Sequence, residues 1–114
     1  MNRPSPQFRA RVRIFTRDEG GPQQGLFGFP DSGVRHVPVE MDGVPGLNTV
    51  SLFHAPNTVI HCGEEFEGDC RVIWEEGFYP AMRCGATFRV WDGRFIASGE
   101  VSHVYRENWK VQEA

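Results

Sequence analysis

The feature that most constrains the fold of this chain is a strict alternation of apolar residues and arginines near the N-terminus. The apolar residues are Phe8, Ala10, Val12 and Ile14, and the basic residues are Arg9, Arg11 and Arg13. Successive side chains of a β-strand point to opposite faces, so this period of two predicts a half-buried strand. Its apolar face is expected to point into a core and its arginine face toward solvent.

The rest of the chain is divided into short segments by turn-forming residues. It contains 13 Gly and 8 Pro in 114 residues, and no stretch of ten residues has convincing helical periodicity. Further strands are predicted over residues 34–41, 47–54, 58–61, 66–74, 82–91 and 94–105, whereas residues 23–33 are expected to form a loop. Asp92-Gly93 is the strongest signal for a hairpin turn in the sequence. Gly99 is expected to mark a bend or bulge in the strand that follows this turn. These patterns predict an all-β fold, a small antiparallel barrel or sandwich.

The inward positions follow from the same alternation. Phe88 and Val90 are expected to face the core beside Val12 and Ile14. Two further sets are predicted to point inward: Phe66, Gly68, Cys70, Val72 and Trp74 on one strand, and Cys84 and Ala86 on another.

The length corresponds to one domain. We expect a flexible tail over residues 1–7, a barrel over 8–105 and a polar C-terminal tail over 106–114. No apolar run approaches about 18 residues, and the first residues lack the apolar core of a secretory signal. Three cysteines fit a reducing compartment better than a disulfide framework. These features favour a cytoplasmic location.

Two blocks of the sequence stand out. Residues 8–21 read Phe-Arg-Ala-Arg-Val-Arg-Ile-Phe-Thr-Arg-Asp-Glu-Gly-Gly. The second block comprises Gly85, Phe88, Asp92, Gly93, Arg94, Ile96, Ala97, Gly99 and Val101. The first block resembles the opening strand and Glu-Gly-Gly turn of the third, C-terminal domain of bacterial elongation factor Tu, and the second resembles the closing hairpin of that domain in its spacing. Gly63-Glu64 lies where the family has a Pro-Gly-Asp turn. The resemblance covers residues 8–105 and is loose between 22 and 60.

The resemblance implies a six-stranded antiparallel β-barrel like elongation factor Tu domain III, here as a stand-alone homologue. In the elongation factor this domain helps to hold aminoacyl-tRNA, docks against the GTPase domain and carries no catalysis. The present chain has no P-loop, so no GTP is expected to bind. The basic pair that follows Glu-Gly-Gly in the family is replaced by Pro22-Gln23.

The candidate partner-binding residues are Glu19, Gly20, Gly21, Phe27 and Phe29. In the elongation factor the equivalent Glu-Gly-Gly turn contacts the GTPase domain, so this edge is expected to be free here. Apolar residues on a loop of a rigid barrel are typical interface anchors. We therefore expect Phe27 or Phe29 to be partly exposed or to contact another copy of the chain. If both rings are buried, the side bearing Trp74 and Trp91 becomes the next candidate.

The arginines Arg9, Arg11 and Arg13 are a weaker candidate for a nucleic-acid contact. The formal net charge of −3 argues against non-specific binding of nucleic acid. We expect the three side chains to be exposed, with at least one close to a carboxylate from residues 64–76.

Other reactive residues do not form a recognisable site. His54, His61 and the three cysteines match no zinc-binding spacing. Glu64-Glu65 and Glu75-Glu76 are adjacent pairs that would point to opposite strand faces. No metal, cofactor or enzymatic activity is expected. The sequence favours a non-catalytic protein-binding module or homo-oligomer, with an association with translation; the alternatives are an RNA- or tRNA-binding barrel and an immunity or decoy protein that mimics part of the elongation factor.

Overall fold

Six antiparallel strands form a closed barrel in the computed structural model, which describes residues 4–111. The strand order around the barrel is β1-β6-β4-β3-β7-β8, and β2 pairs with β5 in a separate two-stranded sheet. The strands are β1 (Phe8–Ile14), β2 (Leu26–Gly28), β3 (Val34–Met41), β4 (Asn48–Phe53), β5 (Val59–His61), β6 (Glu65–Val72), β7 (Thr87–Trp91) and β8 (Phe95–Val104). A short helix, α1 (Glu75–Phe78), and two 3₁₀ turns (Tyr79–Ala81 and Arg106–Asn108) complete the described elements. In this part of the chain, no helix is long and apolar enough to cross a membrane.

The predicted inward orientation of Val12 and Ile14 on β1 and of Phe88 and Val90 on β7 is confirmed, although β8 lies between the two strands. Ile14 of β1 and Val90 of β7 both pair with Ala97 of β8, one from each side. Val12 and Phe88 likewise both pair with Gly99. All four of the flanking side chains are buried, so the alternation read from the sequence correctly separates the core face from the solvent face.

Gly99 makes room for the ring of Phe88. A Cβ atom placed on Gly99 would lie 2.2 Å from Cζ of that ring, a distance that van der Waals contact forbids. The expected bend or bulge at Gly99 is wrong, because the register shifts of β8 occur elsewhere, opposite Arg9/Ala10 and Val90/Trp91. The glycine is therefore a packing requirement of the core.

Two expected inward positions are wrong, Trp74 and Cys84. Strand β6 ends at Val72, and Trp74 precedes α1 with its side chain partly exposed. Cys84 is exposed because the chain turns before β7, with Gly85 at φ +90°. Cys70 does face the core, where burial raises the pKa of its thiol and leaves it as a small apolar side chain.

The segment predicted as a loop over 23–33 contains strand β2. Its three residues pair with β5, with Phe27 opposite Ile60. Both of these side chains are buried. This small sheet brings the rings of Phe27 and Phe29 into contact with the core of the barrel. The glycines Gly25 and Gly28 suggest a loop and give no sign of this pairing.

The two ends of the described chain bind each other in an arrangement we call the terminal clasp. Trp109 Nε1 donates a 3.2 Å hydrogen bond to the carbonyl oxygen of Gln7, and Asn108 Nδ2 donates a 2.5 Å bond to that of Pro6. The buried Gln7 amide donates to Glu75 Oε1 at 2.5 Å, and its Oε1 accepts from the Val72 N–H at 2.7 Å. Gln7 and Trp109, assigned to tails from the sequence, therefore pack against the barrel. Residues 1–3 and 112–114 of those tails lie outside the described residues.

Replacing Gly99 by alanine should destabilise the barrel by about 1–3 kcal/mol, since the added methyl overlaps a buried ring. Phe88→Ala should cost about 3–5 kcal/mol through the cavity it leaves. The double variant Phe88→Leu/Gly99→Ala should be more stable than the sum of its single changes predicts, because the smaller side chain vacates the space that the methyl needs. Urea denaturation of the parent, Phe88→Leu, Gly99→Ala and the double variant measures this coupling, and strict additivity of the two single changes would contradict the packing described.

Candidate functional site

The arginine ridge, defined as Arg9, Arg11 and Arg13 on the outer face of β1, is paired with carboxylates. Arg9 lies 3.5 Å from both Glu67 and Asp69, which confirms the expected contact with the 64–76 segment. Arg11 Nη2 lies 3.0 Å from Glu100. The three arginine side chains are between 36% and 49% exposed, so the predicted surface position is confirmed.

Neighbouring strands supply these acids by register. On one side of β1, Glu67 is opposite Arg11 and Glu65 is opposite Arg13; on the other side, Glu100 is opposite Arg11. Cross-strand pairs of opposite charge stabilise a sheet modestly and cancel each other's field. An open groove of about 680 Å³ crosses this surface, and its lining carries both signs of charge. A phosphate approaching the ridge would therefore meet carboxylates as well as guanidinium groups.

Glu19, Gly20 and Gly21 hold the turn after β1 in shape. Glu19 accepts two hydrogen bonds from Arg13, at 2.8 and 3.0 Å, and one from the Thr16 N–H at 2.9 Å. The Arg13 hydrogen bonds, and then the Thr16 bond, lower the pKa of Glu19 to about 2. Gly20 has φ +93°, and a Cβ on Gly21 would lie 2.2 Å from the carbonyl oxygen of Phe15. Each of these three residues therefore contributes to the conformation of the turn.

The expectation that Phe27 or Phe29 is exposed is wrong. The two residues are only 1% and 4% exposed, and their ring centroids are 5.6 Å apart in an edge-to-face arrangement. Both also pack on Phe66, at 6.1 and 5.4 Å. Edge-to-face and offset contacts at these distances are favourable, so the rings fill one end of the barrel and cannot act as exposed anchors.

Exposed apolar side chains occur instead on and beside the outer face of β3, β4 and β7. We call this set the apolar strip; its exposed members are Pro38, Leu47, Ile73 and Trp74, and it also includes Trp91, which is partly buried against Phe95. Ile73 is 75% exposed, Leu47 46% and Trp74 44%. Pro38 is paired with Thr49, and Trp91 and Ile73 each follow directly after a paired residue of the neighbouring strands, Val90 and Val72.

The ring of Trp74 is held in position by its own chain. A Cβ atom on Gly77 would lie 2.3 Å from the indole, so the ring rests directly on this glycine of α1. An exposed aromatic side chain with a fixed position loses little conformational entropy when a partner covers it. The sequence placed Trp74 on the inward face, because the alternation of β6 runs on past Val72, and also named the side bearing Trp74 and Trp91 as the next candidate for a contact surface.

A second concave site lies between the 22–26 segment and the β7–β8 hairpin. We call it the arginine pocket, because the guanidinium groups of Arg35 and Arg94 both line its volume of about 420 Å³. Arg35 stacks on Phe27, 3.8 Å from the ring centroid, and Arg94 Nη2 donates to the carbonyl oxygen of Gly21 at 2.6 Å. Sequence reasoning missed this site, since the two arginines belong to no motif and are 59 positions apart.

Within residues 4–111, no group of three or more His, Cys, Asp or Glu side chains is arranged to hold a metal ion. No model of a known protein family matches the chain. A search of curated proteins also finds no match.

The depressed pKa of Glu19 predicts an acid-sensitive turn. Its contribution to stability is present above the ordinary pKa of 4.5 and is lost as the pH falls from 4.5 toward about 2. An NMR titration of the Glu19 side-chain carboxyl should show the low pKa directly. Arg13→Gln should return this pKa toward its ordinary value, whereas Arg11→Gln, which removes a neighbouring ridge arginine, should leave it low. An ordinary Glu19 pKa in the unsubstituted protein would contradict the geometry.

Proposed function

We propose that this protein is a non-catalytic protein-binding module and that the apolar strip is its contact surface. The observation that carries the proposal is the pair Ile73–Trp74, in which a 75% exposed aliphatic side chain adjoins a tryptophan fixed against Gly77. Tryptophan is among the residues that contribute most to interface energies. Large apolar side chains clustered on a monomer's surface are typical of sites that a partner covers.

The polar neighbours of the strip also suit a protein contact. Thr49 and the His36–Ser51 pair, joined at 2.8 Å, present polar groups on the outer face of β3 and β4. Charged side chains lie at one edge of this surface, where Glu40 and Arg89 form an ion pair. An apolar centre bordered by polar groups is the usual anatomy of a protein interface.

We further propose that the barrel is related to the third domain of elongation factor Tu and acts in the cytoplasm, in association with translation. The closed six-stranded antiparallel topology, the Glu19-Gly20-Gly21 turn and the Asp92-Gly93 hairpin support this relation. In that factor the barrel docks on a sister domain of the same chain. We propose that here the docking partner is a separate protein, which includes the case of a decoy or immunity protein, and that neither GTP nor another cofactor takes part.

The apolar strip makes a specific prediction for partner binding. A partner identified by affinity capture should lose more than about 2 kcal/mol of binding free energy with Trp74→Ala, because the indole is the anchor. Val59→Ala removes a comparably exposed apolar side chain from β5 and serves as the matched control, with little effect expected. Isothermal titration calorimetry measures both affinities, and thermal melting verifies that each variant is folded.

The same experiment separates the proposal from RNA binding. A protein complex held by apolar contact should survive a rise in salt from 50 to 500 mM, whereas binding to phosphates falls steeply with salt. A tight, salt-sensitive complex with tRNA that is lost in the Arg9/Arg11/Arg13→Ala variant and unaffected by Trp74→Ala would overturn the proposed function.

A further inference from the structure

We propose that the arginine pocket is a second binding site, separate from the apolar strip, and that it takes a carboxylate carried on an apolar group. The residues that line the pocket combine two arginines with the apolar residues Pro22, Leu26 and Ile96, and the remainder of the lining is Gln23, Gln24, Asp92 and Gly93.

Arg35 is held rigidly but is incompletely neutralised. Its guanidinium lies flat over Phe27, and Nη1 donates a 3.0 Å hydrogen bond to the carbonyl oxygen of Gly28. Its carboxylate neighbour is Asp92, which lies 3.7 Å away, beyond hydrogen-bonding distance. The Asp92 side chain is 65% exposed, whereas that of Arg35 is 28% exposed. A partly buried charge whose ion-pair partner is solvated and makes no hydrogen bond to it gains from an anion that binds at hydrogen-bonding distance.

Arg94 supplies the second cation. Its hydrogen bond to the carbonyl oxygen of Gly21 fixes the guanidinium beside the pocket. Arginine has five N–H donors in a planar fork, and within residues 4–111 the Arg94 side chain uses one of its nitrogens, Nη2, in the bond to Gly21. A guanidinium fork matches the planar, two-oxygen geometry of a carboxylate, and two arginines line this pocket.

The apolar part of the lining determines what the carboxylate is attached to. Leu26 is 38% exposed and Pro22 is partly exposed, whereas Ile96 is buried beneath the surface. An aliphatic group next to the ligand's carboxylate would cover this surface. Asp92 opposes a doubly charged phosphate at close range, as does the net charge of −3. A singly charged carboxylate with an apolar neighbour therefore fits the pocket better than a phosphate does.

Asp92 acts as an internal competitor in this arrangement. Its carboxylate is the nearest anion to Arg35 and is carried on the exposed hairpin next to Gly93. A ligand carboxylate that approaches Arg35 more closely takes its place. Removing the charge of Asp92 should therefore strengthen ligand binding, which is the opposite of what loss of a direct ligand contact would do.

The test uses N-acetyl-leucine, which has a free carboxylate, and N-acetyl-leucine amide, which lacks one. Each is titrated into the ¹⁵N-labelled protein while the amide signals of Gln24 and Gly93 are followed. The acid should give saturable shifts and the amide should not. We expect Asp92→Asn to bind the acid several-fold more tightly and Arg94→Gln to bind it about tenfold more weakly. Arg89→Gln, which removes a guanidinium outside the pocket, is the matched control and should leave the affinity unchanged.

Three results would overturn the proposal: equal binding of the acid and the amide, absence of saturable shifts with the acid, or weaker binding in Asp92→Asn. Inorganic phosphate binding as tightly as N-acetyl-leucine would also overturn it, because the apolar part of the lining would then contribute nothing. The Asp92 change lies on an exposed hairpin and keeps the size of the side chain, so it tests the site even if Arg94→Gln fails to fold. The outcome is independent of Trp74 and therefore of the proposed function.

Discussion

The pairing of β1 with both β6 and β8 closes the sheet, and the remaining features of the molecule depend on this closure. Closure pairs most of the barrel's backbone within the barrel and leaves an unpaired edge where a ladder is short, as along β3, which pairs with β7 over Val39–Met41. The separate β2–β5 sheet keeps its own edges. The two binding surfaces proposed above, the apolar strip and the arginine pocket, use side chains rather than strand addition.

Closure also helps to explain why the positive charges of the arginine ridge are balanced by neighbouring carboxylates. Since β1 has a neighbour on each side, Arg9 and Arg11 meet acids from strands distant in sequence, whereas Arg13 binds Glu19 of the adjoining turn. Glu100 is 89 residues from Arg11, and Asp69 is 60 residues from Arg9. The outer surface thereby divides into a region of alternating charges around β1 and a largely uncharged region on β3 and β4. The latter has less desolvation to overcome when a protein covers it.

The local patterns of this sequence predicted the fold well, whereas its surface depended on contacts that no local pattern contains. The alternation over 8–14 and the turn at Asp92-Gly93 specify strand faces and a hairpin, and these predictions are confirmed. The burial of Phe27 could not be predicted from the local sequence, because it results from packing on Phe66 and from the pairing of β2 with β5. Trp74 was placed on the inward face because the alternation over 66–74 gives no sign that β6 ends at Val72, before α1 begins. The arginine pocket was missed because Arg35 and Arg94 meet only through tertiary structure.

The terminal clasp has a consequence for how such a barrel can be combined with other chains. Asn108 and Trp109 bind the backbone at Pro6 and Gln7, so the polypeptide enters and leaves the barrel at nearly the same point. A domain with adjacent entry and exit points can be inserted into a surface loop of a host protein without separating the two sides of that loop. The barrel is therefore suited to grafting as an intact cassette, with the apolar strip and the arginine pocket carried along unchanged.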